Sequence, residues 1–101
     1  MKAKAILVNT PEALARTLGL SGLEAQEWRV QHELLTRLRQ IVLDGALTHA
    51  EVARRAGSSR TRVTAILNGD LDHVSSDLLI RLIAALGYRV NVSVSQVESA
   101  A

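Results

Sequence analysis

The sequence predicts a mainly α-helical chain of five helices closed by a short β-strand. Three observations lead there. Apolar residues recur at helical spacing in most of the 101 residues, the six glycines fall where that spacing stops, and the period changes to two after Gly87. The chain is long enough for one domain with a real core.

The elements follow in order. Residues 3–8 are apolar enough for a short strand. Thr10, Pro11 and Glu12 read as an N-cap, a first-turn proline and a first-turn acid, opening a helix that carries Leu14 and Leu18 inward and stops at Gly19. A longer helix is expected over 23–44, with an inward stripe of Leu34, Leu35, Leu38, Ile41 and Val42, Trp28 earlier on the same side, and Gly45 as its stop. Thr48 caps the next helix, which runs through Ala56 with Glu51 at the capping-box position and Val52, Ala53 and Ala56 facing in. Gly57, Ser58 and Ser59 form a turn, and Ser59 caps a helix over 60–68 that ends at Gly69. Ser75 caps the fifth helix, apolar almost all round through Leu78, Leu79, Ile80, Leu82, Ile83 and Leu86, and therefore expected at the centre of the core. Tyr88, Val90, Val92 and Val94 then alternate with polar residues as in a half-buried strand, and 95–101 is patternless and expected to be disordered.

Composition narrows the chemistry. Without cysteine there is no disulfide or thiolate metal site, and His32, His49 and His73 are too far apart for a local metal pair. No cofactor is implied. Ser58 and Ser59 lie near His49, yet a turn serine that caps a helix is already engaged and no acid is placed to orient the imidazole, so no catalytic residue is assigned and no enzyme is expected. No apolar segment approaches a membrane span or a secretory signal, which points to a soluble, cytoplasmic protein with no membrane partner. The net charge of +2 says little, but its distribution says more. Between Val52 and Gly69 there are four arginines, Arg54, Arg55, Arg60 and Arg62, and no acid, a local basic patch of the kind nucleic acid attracts.

Residues 49–68 make two short helices joined by a glycine-containing turn, with the small residue Ala53 where the helices cross and Gly57 four residues on. Val63, Ile66 and Leu67 fall on the inward face of the second helix. Its outward face carries Thr61, Thr64, Ala65 and Asn68, flanked by Arg60 and Arg62: short, polar and suited to a DNA groove.

Through Ala53, Gly57, Val63, Ile66 and the Asn68-Gly69 end, the segment resembles the helix-turn-helix of lambda-repressor-like, Cro-type regulators of the xenobiotic response element family. With the flanking helices the likeness spans roughly residues 10–94 and is nearest to the small HigA-type antitoxins, which end in a strand after the fifth helix. Two departures stand out: His49 replaces the family's usual glutamine, and Ser58 its usual apolar residue after the turn glycine.

The resemblance implies a sequence-specific double-stranded DNA-binding repressor that covers a palindrome as a homodimer. Base contacts would come from Arg60, Thr61, Thr64 and Ala65, with Arg60 gripping guanine through paired hydrogen bonds. Phosphate contacts would come from His49, Ser59, Asn68, Arg62, Arg54 and Arg55. Tyr88, Val90, Val92 and Val94 would pair across a two-fold axis, because a lone strand leaves its backbone groups unpaired; pairing with residues 3–8 of the same chain is the competing arrangement. The chain divides into an extension (1–22), the DNA-binding domain (23–87, motif 49–68), a dimerisation strand (88–94) and a tail (95–101). The alternative function is an antitoxin that neutralises a cognate toxin, with the extension as the contact, while repressing its own operon.

Overall fold

The computed structural model describes residues 22–96. They form four helices: α1 (Gly22–Asp44), α2 (His49–Ala56), α3 (Arg60–Leu67) and α4 (Ser76–Ala85). These match the second to fifth helices read from the sequence; the first, over 10–19, lies outside the described residues, as do the apolar segment 3–8 and residues 97–101.

The starts of α2, α3 and α4 are each fixed by a side-chain cap. The hydroxyl oxygens of Thr48, Ser59 and Ser75 accept the N–H groups of Glu51, Arg62 and Leu78 at 3.0, 3.1 and 3.2 Å, satisfying donors that a helix start leaves without a partner. The capping box at Thr48 is only half made, because the Glu51 carboxylate turns to Arg54 and Arg55. Helix ends close by left-handed residues. Gly57 (φ 66°) closes α2, and the Ser58 N–H reaches back to the Ala53 carbonyl at 3.0 Å. The helix α1 ends at Asp44, before Gly45, as the sequence predicts, but not through a left-handed glycine. The left-handed residue is Ala46 (φ 50°), not Gly45, and the Leu47 N–H bonds the Val42 carbonyl at 3.0 Å. Gly45 serves space instead: a Cβ there would lie 3.3 Å from both the Ile41 carbonyl oxygen and Leu47 Cγ.

The core is aliphatic. Leu35 and Leu38 of α1, Val52 and Ala53 of α2, Val63 and Ile66 of α3, and Leu79, Leu82 and Ile83 of α4 are buried together with Val74 and Leu86, and no polar side chain is buried among the described residues. As expected from its composition, α4 contributes most to this cluster. Fully burying each such leucine or isoleucine contributes about 1.5–3 kcal/mol, which holds the motif helices against α1 and α4. Trp28 stands outside the cluster, half-buried, its ring 3.9 Å from that of His32 between centroids.

After α4 the expected strand is not formed. Residues 88–96 have no regular secondary structure, and there is no strand among the described residues. Of the four alternating residues, only Val90 packs against the core; Tyr88, Val92 and Val94 are exposed. A strand exists only as part of a ladder, and within the described residues no other extended edge is offered. The segment lies instead beside α1, where Tyr88, Val90 and Val92 border a groove with Val30, Leu34 and Ile41.

Candidate nucleic-acid interface

The reading surface is built on α3, and the core dictates its orientation. With Val63 and Ile66 buried, helical geometry turns Thr61 and Asn68 outward and leaves Arg60 on the flank, and all three are exposed; Thr64 and Ala65, also on the outward side, are half-buried. Arg60 and Thr61 form no hydrogen bond or ion pair with other described residues through their side chains, so their donors remain available at the first turn.

Thr64 is engaged. Its Oγ1 lies 2.8 Å from Nδ1 of His49, the first residue of α2, in a part-buried hydrogen bond between the two motif helices. The sequence-based assignment gave His49 to phosphate and Thr64 to bases separately; the structure couples them. A hydroxyl can donate one bond and accept others, so Thr64 keeps capacity toward a ligand, and His49 keeps Nε2.

Ser59 Oγ accepts from the Arg62 N–H, which leaves its own O–H free to donate, as a phosphate contact requires. Arg62 is drawn elsewhere: its guanidinium donates to the His73 carbonyl at 3.3 Å, pinning the loop after α3. Gln31 of α1 pins the same loop by donating to the Val74 carbonyl at 2.8 Å, and His73 takes a left-handed φ of 59° between these two tethers. On α2, Arg54 and Arg55 share Glu51 at 3.7 and 3.5 Å, so the acid just before the acid-free stretch partly offsets their charge. Arg54 remains 71% exposed in its side chain, and such a screened surface pair is worth less than about 1 kcal/mol, little hindrance to re-pairing with phosphate.

His49 and Asn68, far apart in sequence, line one concavity beside the C-terminal end of α3. Sequence reasoning missed the third polar residue there, Arg39 of α1, whose Nε donates to the Leu67 carbonyl at 2.8 Å. Only the unmatched cation on an exposed turn of α1 could have signalled it. His32, further back on α1, is held below its ordinary pKa of 6.5 by burial and, second, by the Arg39 charge.

Among the described residues there is no cluster of His, Asp and Glu that could hold a metal, and no helix long and apolar enough to cross a membrane. The arrangement on α3 offers hydrogen-bond donors and cations on a short exposed helix: the equipment for binding a polyanion with a patterned edge. No curated protein and no solved structure matches the chain significantly. The sequence pattern of the helix-turn-helix domain family matches residues 17–95, which takes in all four helices, and the chain accordingly belongs to that family.

Proposed function

We propose that the protein is a sequence-specific repressor that covers a palindromic operator in double-stranded DNA as a homodimer, with α3 in the major groove. The observation that carries this reading is the outward first turn of α3, where Arg60 and Thr61 are exposed and unengaged between the cap Ser59 and the concavity at Asn68. Arg60 reads a base, Thr61 and Thr64 with Ala65 complete the contact, and Ser59, His49, Asn68 and Arg54 meet phosphates on either side. Arg55 and Arg62, each tied to a protein oxygen, add charge at longer range. One such helix spans only a few base pairs, so a two-fold partner extends the site to a palindrome.

The second copy joins through residues 88–94. Val92 and Val94 are 78% and 90% exposed, and Val92 shares a groove with Tyr88 and the α1 residue Val30, also exposed, which leaves an apolar surface uncovered here among the described residues. Pairing of the two segments across a two-fold axis supplies the ladder that the described residues of one chain lack. Toxin neutralisation, the other function implied by the lambda-repressor-like resemblance, would engage residues 1–22 and is compatible with the same DNA surface.

Selection of duplexes from a randomised library, followed by fluorescence anisotropy on the enriched site, tests the reading. An inverted repeat should emerge, and affinity should fall on the order of a thousandfold between 50 and 200 mM salt if a dimer neutralises ~6 to 10 phosphates. Equal, weak binding to every duplex would sink the claim of specificity.

A further inference from the structure

We propose that Arg39, outside the helix-turn-helix motif, forms with His49 and Asn68 a seat for one phosphate of the DNA backbone. The inference rests on the DNA-binding reading and extends the interface to α1.

Three elements that are remote in sequence meet at this point. Arg39 comes from α1, His49 opens α2, and Asn68 follows α3; together with apolar residues that include Val42, Leu47 and Leu67 they line an open concavity of about 560 Å³. Polar and apolar lining together match the two parts of a DNA strand, charged phosphate and the less polar deoxyribose.

The guanidinium is placed in advance. Its Nε donates to the Leu67 carbonyl at 2.8 Å, and Nη2 lies 3.3 Å from where a Cβ on Gly69 would stand, so the group is laid along the Asn68-Gly69 turn. One of five N–H donors is spent, and no described carboxylate pairs with the charge. Arginine held in this way loses little freedom on gripping a phosphate with its remaining fork.

The local field also calls for a cation here. The last carbonyls of α3 carry the negative end of its dipole toward the concavity, which by itself would repel a phosphate approaching Asn68. Arg39 binds one of those carbonyls and reverses the sign. From the other side, His49 brings the positive, N-terminal end of α2 to the same concavity.

The test uses the full chain on a duplex that the unmodified protein selects from a randomised library. Arg39→Gln keeps a donor for the Leu67 carbonyl and removes the charge. It should lower the slope of log affinity against log salt by ~1 per bound chain and weaken binding roughly fivefold per chain near 150 mM salt, with base preference unchanged. Arg39→Lys should keep most of the slope. A single neutral methylphosphonate at the seated phosphate should weaken the unmodified protein more than it weakens Arg39→Gln, in which only His49 and Asn68 still hold it. Helicity and thermal melting check that the variants fold, and Arg39→Met, which keeps the apolar stem, repeats the slope measurement should Gln disturb the turn. An unchanged slope in the neutral variants overturns the proposal and leaves Arg39 as a prop for the helix end. If the unmodified protein selects no duplex, the DNA-binding reading itself has failed, a different result.

Discussion

At the first turn of α3, Arg60 and Thr61 extend without partners among the described residues, while one turn later Thr64 is held by His49 at 2.8 Å. The free residues should therefore dominate discrimination. Arg60→Ala is expected to relax preference at one base pair per half-site, a loss of ~1–3 kcal/mol there, whereas Arg54→Ala should weaken all duplexes about equally and flatten the salt dependence. Sequencing of library pools selected by each variant separates the two; uniform weakening by Arg60→Ala would make Arg60 a phosphate contact. Much of the reading face was legible in the sequence because helical periodicity alone turns Val63 and Ile66 inward and Thr61 and Asn68 outward, with Arg60 on the flank. What stayed hidden were bonds across helices. His49 to Thr64, Arg62 to His73 and Arg39 to Leu67 join residues 15, 11 and 28 positions apart, and such pairs depend on how helices pack, which spacing within one helix does not encode.

The helices and their caps follow local rules, and so they were almost fully readable. Thr48, Ser59 and Ser75 each do at their helix starts what their sequence context predicted. Ser59→Ala should cost ~1 kcal/mol of stability through loss of the cap, measurable by denaturant unfolding, and should also weaken DNA binding through loss of a phosphate donor. The closure of α1 departs from the expected pattern because Gly45 is used to let Leu47 fold back closely, which moves the left-handed position one residue on to Ala46. An alanine in that conformation carries ~1–2 kcal/mol of strain. Ala46→Gly relieves it but enlarges the unfolded ensemble, an opposing effect of ~0.4–1 kcal/mol, so a small net rise in thermal midpoint is expected. Gly57→Ala has the opposite sign on both counts at φ 66° and should destabilise the motif by roughly 1 kcal/mol. If both variants moved stability in the same direction, backbone strain would not be the cause.

For the whole molecule, the strand was the least legible element, since alternation in residues 88–94 states a capacity to pair and not the partner. Val90 is packed on the core, so removing the entire segment would confuse dimerisation with folding. Val92→Asp combined with Val94→Asp, at the two most exposed valines, should instead give a folded monomer by light scattering with much weaker binding to a palindrome. A persistent dimer would place the interface on the helices. Stability should also respond to pH through His32. Its folded-state pKa is lowered, chiefly by burial and then by Arg39, so the unfolded chain binds the proton more readily. Stability from this residue is therefore present above its ordinary pKa of 6.5 and lost as pH falls through the lower folded value; denaturant midpoints across that window should drop in the native sequence and stay flatter in His32→Asn. The ring pair that His32 makes with Trp28 has a practical consequence. The only tryptophan and the only tyrosine both stand outside the aliphatic core, one against a tilted imidazole and the other exposed on the segment after α4. Intrinsic fluorescence thus reports first on α1 and its histidine, where a protonated imidazole against the indole quenches emission. An optical titration of the folded protein should trace the charge state of one side chain, with circular dichroism as the independent check that the core is intact.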